Sequence, residues 1–187
     1  DCPSSVILCD KSSFVVEQLI GGGIIEQLPP SACNRNLDNA STQDDCEWIE
    51  MNSSWYTWTV DDPGTLAFTL TPLREDDDLD FALYELPNGL GDCSELIELR
   101  CMLSGLTGGD VVLSAPCIGA TGLSLAESDF GESCGCDPGD NNFISGVNVE
   151  AGKVYGLLVN NFSESGNGFS IDFSGSATFL GPVANFV

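Results

Sequence analysis

The chain has 187 residues, a length that suits one domain at roughly 150 residues per domain. Its 42% hydrophobic content with 21 Gly is ordinary for a protein with a buried core, but 29 Asp and Glu against five Lys and Arg give a net charge of −24. That balance excludes a general nucleic-acid binder and disfavours anionic membrane surfaces, since both need clustered cations. The sequence also contains no His, which removes Ser-His-Asp and Cys-His catalysis and His-ligated zinc or haem. Carboxylate chemistry, hard-metal binding and non-catalytic work remain.

The chain opens Asp1-Cys2-Pro3 without an initiator Met or a basic n-region, the start expected of an exported protein after processing. No stretch approaches the roughly 18 apolar residues of a membrane span, so membrane insertion is not expected. The dominant signal is period two. Residues 54–60 place Tyr56, Trp58 and Val60 on one face, and a turn follows at Asp61-Asp62-Pro63-Gly64. Residues 65–71 alternate again, with Leu66, Phe68 and Leu70 inward, and Leu79, Phe81 and Leu83 repeat the pattern. One helical turn is expected around 94–99. Residues 104–142 are Gly-rich, hold three cysteines and alternate little, as expected of a disulfide-pinned excursion with short strands. Further strands are expected at Val147 and Val149, over 154–159, and at Phe169, Ile171 and Phe173. Alternation bounded by Gly, Pro, Asn and Asp marks half-buried antiparallel strands. The predicted fold is all-β, an antiparallel, jelly-roll-like β-sandwich forming a single domain over 1–187.

Cysteines occur at 2, 9, 33, 46, 93, 101, 117, 134 and 136. The only close pair is Cys134-Gly-Cys136, not the paired CxxC units of a zinc ribbon, so disulfides and an oxidising compartment are expected. Short sequence loops favour Cys2–Cys9 and Cys93–Cys101, with Cys33–Cys46 next, and Cys117 meeting Cys134 or Cys136. The count is odd, so one cysteine is left free, buried or joined to another chain.

The sharpest local motif is Asp76-Asp77-Asp78-Leu79-Asp80-Phe81. In an extended chain Asp76, Asp78 and Asp80 share one face, and three converging carboxylates repel unless a cation sits between them. Hard oxygen donors favour calcium, with Asn161 as an additional ligand. The loop is not an EF-hand, because Phe81 stands where that loop needs Gly. The competing reading is a solvated acidic loop. A glycosidase-like carboxylate pair is disfavoured without a cleft signal, so no enzyme activity is expected. Alternation buries Tyr56 and Trp58 and leaves Trp55 on the other face, where it is the candidate sugar-stacking residue.

Several segments follow one another in a familiar order: Asp1-Cys2-Pro3, Asn52-Ser53-Ser54-Trp55-Tyr56, Gly64-Thr65-Leu66-Ala67-Phe68-Thr69-Leu70-Thr71-Pro72, Asp77-Asp78-Leu79-Asp80-Phe81-Ala82-Leu83-Tyr84, Val149-Glu150-Ala151-Gly152-Lys153-Val154-Tyr155 and Gly168-Phe169-Ser170-Ile171-Asp172-Phe173. This order resembles a module of secreted surface proteins of Bacteroidetes-type bacteria. It is also similar to the bacterial pre-peptidase C-terminal β-sandwich, whose members commonly bind calcium and accompany secreted hydrolases. The resemblance covers most of the chain and is weakest over 17–50 and 104–142. This sequence departs from it in lacking PKD-like repeats and a sorting domain and in carrying Cys46 and the Cys134-Gly-Cys136 pair. The resemblance implies a secreted, extracellular, non-catalytic structural or adhesive module.

Two apolar segments, residues 18–25 and 179–187, suggest self-association into a filament or surface layer, one of them adding as a strand to the next subunit. The alternative reading is a calcium-dependent module that binds polysaccharide or a cell surface.

Overall fold

A computed structural model describes residues 1–21, 23, 28–34, 50–105 and 116–181. Cys46 and, of the two apolar segments, residues 22, 24–25 and 182–187 lie outside the described residues. Among the described residues a 3-10 turn, Cys2–Ser4, precedes twelve strands. They are β1 (Val6–Ile7), β2 (Phe14–Gln18), β3 (Ser53–Thr59), β4 (Gly64–Pro72), β5 (Leu79–Glu85), β6 (Ile97–Ser104), β7 (Thr121–Ser124), β8 (Gly131–Gly135), β9 (Phe143–Ser145), β10 (Val147–Val149), β11 (Val154–Asn161) and β12 (Asn167–Ser174). The helical turn expected around 94–99 gives way to the start of β6, which pairs along β5.

The strands form the predicted β-sandwich. The first sheet runs β1-β3-β11-β5-β6-β8 and the second β2-β12-β4-β7-β9, with β10 also on β4. Central pairings are antiparallel, whereas β1 on β3, β6 on β8 and β7 on β9 are parallel. The Asp61-Asp62-Pro63-Gly64 turn carries the chain from one sheet to the other, and Thr178 fixes it by accepting from the Asp61 and Asp62 amides at its carbonyl and hydroxyl. In the excursion, Cys117 bonds to Cys136, one of its two expected partners.

Between the sheets lies the core the alternation predicts: Tyr56, Trp58, Leu66, Phe68, Leu70, Leu79, Phe81, Leu83, Leu157, Val159, Phe169 and Ile171, all buried. Trp58 stacks on Phe179 at 4.9 Å, and Phe68 meets Phe81 edge-on at 5.2 Å. Each such side chain contributes about 1.5–3 kcal/mol through apolar burial.

A second buried layer covers the outer face of the first sheet. It contains Cys2, Cys33, Trp55, Ala82, Tyr84, Leu86, Cys93, Cys101, Leu103 and Leu158. This layer explains why every residue of β11 is buried: a strand covered on both faces loses the alternation of a half-exposed one. Two disulfides hold the layer, Cys2–Cys93 and Cys33–Cys101. They replace the expected Cys2–Cys9, Cys93–Cys101 and Cys33–Cys46 pairs. The cause is spatial: Cys101 lies on the outer face of β6 and Cys93 in the loop before it, so segments far away in sequence fold across the sheet to reach them. Cys9 is left as an exposed free thiol, and Cys134 is disulfide-bonded.

Candidate functional site

The acidic motif divides at Asp78. Residues 74–77 make a turn closed by the Asp77 amide donating to the Arg74 carbonyl at 3.0 Å. Strand alternation therefore begins only at Asp78, and Asp76 does not join the other two carboxylates. Asp76 points to solvent and pairs with Arg74, whose Nη2 donates to its Oδ2 at 2.8 Å. That hydrogen bond holds the Asp76 carboxyl below its usual range.

Asp78 and Asp80 fall on the outer face of the first sheet, in line with Ala82 and Tyr84. Asp80 sits directly across from Asn160 on β11, and Asn160 across from Ser53 on β3. Just before β5, the Asp78 amide donates to Ser163 Oγ at 2.8 Å, and its carbonyl accepts from the Phe162 amide at 2.9 Å. Its carboxylate lies against Gly105, where φ is +143° and a Cβ would come within 2.2 Å of Oδ1. Only glycine fits that approach.

Asp80 is 4% exposed, and its Oδ1 has no hydrogen-bond partner among the described residues. Burial first, and then the neighbouring Asp78 charge, push its carboxyl well above the usual range. A buried, under-bonded carboxylate beside a second one is unfavourable as an anion and needs a proton or a cation.

Asn161, expected with these aspartates, lies on the opposite face. Its neighbour Asn160 pairs with Asp80, and consecutive strand residues point in opposite directions. Asn161 Nδ2 donates to Asp77 Oδ2 at 3.1 Å and to the Asn167 carbonyl at 2.9 Å. Asp77 also accepts from Ser165 Oγ at 2.6 Å. This buried network ties the turn before β5 to the β11–β12 connection, and Asp77 is its centre. Spacing alone does not separate Asn160 from Asn161; the register with β5 does.

The expected four-ligand set is therefore split. Asp78 and Asp80 come together, Asn160 takes the position assigned to Asn161, and Asp76 is elsewhere. The donors present, two carboxylates and an amide oxygen, are hard oxygen ligands that fit calcium chemistry. Among the described residues no group of three His, Cys, Asp or Glu side chains is placed to hold a metal ion.

Trp55 is not a sugar platform. It is 3% exposed and stacks on Tyr84 at 5.7 Å beneath the disulfide-held layer. Sequence alternation assigned it to the second face of the sheet correctly, but did not foresee that this face is covered.

Four of the exposed apolar side chains lie at the lateral margins of the sandwich. On one side Val6 and Ile7 of β1 are 54% and 57% exposed, with Val15 of β2 nearby on the edge of the second sheet. On the other, Phe130 is 70% exposed. Its ring lies 4.5 Å from the guanidinium of Arg100, which donates to the Ser145, Gly146 and Leu99 carbonyls. No helix among the described residues is long and apolar enough to cross a membrane. Compared with protein-family models, with curated proteins and with solved structures, the chain matches none.

Proposed function

We propose that this chain is a secreted, non-catalytic module that builds or decorates an extracellular structure by associating with copies of itself. The observation that carries this reading is the edge of the first sheet. The Leu8 amide donates inward to the Thr57 carbonyl at 2.8 Å, so the amide and carbonyl of Ile7, one residue away, face outward. Among the described residues neither has a backbone partner. An edge strand with unpaired backbone groups and two exposed β-branched side chains is a template for another strand. Natural edges are normally protected by charge, Pro or a bulge, and Val6-Ile7 carries none of these. The disulfides support the extracellular assignment, because such bonds persist in oxidising compartments. Sedimentation of the purified oxidised protein over a hundredfold concentration range tests the reading. Growth in mass with concentration is expected; a single monomeric species throughout refutes it.

Calcium belongs to the same proposal, held by Asp78 and Asp80 with the Asn160 amide oxygen. It neutralises a buried pair whose ionisation otherwise opposes folding. The under-bonded Asp80 oxygen favours this reading. Calcium should raise the melting temperature of the intact protein, because a ligand bound only by the folded state stabilises it. Equal melting in calcium and in chelator would remove calcium from the proposal.

A further inference from the structure

We infer that the self-association contact is two-fold: the margin carrying β1 and β2 meets the same margin of a second copy, each of these strands pairing antiparallel with its own counterpart. This rests on the self-association reading above and names the surface and the symmetry through which it acts.

Both edges of that margin have backbone groups to offer. On β1 these are the outward amide and carbonyl of Ile7. On β2 they follow from Pro72, which lies opposite Phe169 in the β4–β12 ladder. Pro72 has no amide hydrogen, so the bonds between these strands run through Thr71 and Ser170. The Leu73 amide, donating to the Gly168 carbonyl at 3.0 Å, keeps the same phase. Phe169 and Ile171 therefore bond the other way, to Val16 and Phe14 across from them. Val15 and Glu17 are left with amides and carbonyls turned outward. β2 is the last strand of its sheet, and among the described residues no backbone partner reaches these groups.

The two edges lie at one height. Val6 sits across from Tyr56 on β3, and Phe14 of β2 packs on the Tyr56 ring from the facing sheet, with centroids 5.3 Å apart. Ile7 and Val15, the next residue along each strand, are thus level with each other, and both are more than half exposed. A two-fold axis normal to the sheets at this level sets each edge strand antiparallel to itself, so both sheets continue across the contact and no second surface is needed. Charge fixes where the axis passes. Nothing from Cys2 to Cys9 is charged. Centred on Ile7, the β1 pair sets Val6 against Leu8 and, further out, Asp10 against Ser4. Centred on Val15, the β2 pair sets Glu17 against Ser13, whereas centring on Glu17 would set two carboxylates face to face. Between chains of charge −24, repulsion is screened beyond about 8 Å at physiological salt, so a seam where no two acids meet is where a second copy can approach. On the axis Ile7 faces Ile7 and Val15 faces Val15, cross-strand pairs of β-branched side chains that stabilise a ladder. The contact closes on itself and makes a dimer.

The test uses the full-length, oxidised protein with Cys9→Ser, so that the native free thiol does not compete. Ile7→Cys or Val15→Cys is added to it, with Leu90→Cys, exposed in the connection after β5, as the control. Directly opposed residues of an antiparallel ladder have Cα atoms about 5.5 Å apart, within reach of a disulfide. Mild oxidation should therefore convert each of the first two variants to a covalent dimer at least about tenfold faster than the control, because pairing raises the local thiol concentration. A second variant, Ile7→Lys with Val15→Lys, leaves every cysteine in place. It should keep the parent's circular dichroism and sediment as a monomer where the parent dimerises. Cross-linking at Ile7 and Val15 no faster than at Leu90, or a double-lysine variant that associates as the parent does, overturns the two-fold contact while an associating parent leaves the broader reading standing. Cross-linking at Ile7 alone overturns the pairing of β2. A parent chain that stays monomeric overturns the self-association reading itself, and the two-fold contact with it.

Discussion

Removing the Cys2–Cys93 bridge by paired Ser substitution tests the second buried layer. The two cysteines are 91 residues apart, and a loop of that size restricts the unfolded chain by about 4.6 kcal/mol in the chain-entropy relation. The bridge does not act alone, however. With Cys33–Cys101 in place, the unfolded chain can run from Cys2 to Cys33, across that bond, and back from Cys101 to Cys93. The loop that Cys2–Cys93 then closes is about 40 residues, which lowers the expected loss to about 4 kcal/mol. Denaturant unfolding of the oxidised variant and parent measures it. Because Cys2 and Cys93 pack in the same layer as Trp55, the variant should also expose Trp55 to acrylamide quenching, with a Trp55→Phe control isolating that signal. A loss below about 1 kcal/mol, or unchanged protection of Trp55, would refute the layer's role.

Four other outcomes are expected. In chelator the melting temperature should fall as pH rises from about 4, because the raised carboxyl of Asp80 binds its proton more tightly in the folded than in the unfolded state. Its contribution is complete below the unfolded value of 3.8 and is lost as pH climbs through the higher folded value; Asp80→Asn should flatten this dependence and abolish the response to calcium. Asp77→Ala should cost on the order of 2 kcal/mol, since it removes the acceptor that the Asn161 amide and the Ser165 hydroxyl share; a neutral effect in denaturant melts would contradict the network. Trp58→Ala should cost about 3–5 kcal/mol in the same assay, because it empties the aromatic stack between the sheets. Alkylation of the unreduced native protein followed by mass spectrometry should label Cys9, and labelling of Cys2, Cys33, Cys93, Cys101, Cys117 or Cys136 would contradict the bridges.

Strands whose inner face alone is apolar were legible in the sequence, because Tyr56, Trp58, Leu66, Phe68 and Leu70 alternate over the core they share. The weakly patterned strands were not. β1 and β8 sit at edges, and β9 has three residues, too few for any period to register. The outer layer was hidden for a different reason. Trp55, Tyr84 and Leu158 are covered by segments brought in through long-range disulfides, and sequence proximity favours the short-range pairs that do not form. At the acidic motif, the local alternation correctly joined Asp78 and Asp80 but extended one step too far, to Asp76, because nothing in the sequence marks where the turn stops and β5 begins. Choosing Asn160 over Asn161 required the register between β5 and β11, a tertiary fact.

Negative-stain imaging of the purified, oxidised parent protein in calcium, beside the Ile7→Pro variant, tests the central proposal most directly. Assemblies larger than single particles, present in the parent and absent from the variant, are the expected result. Dispersed single particles in both samples would contradict it.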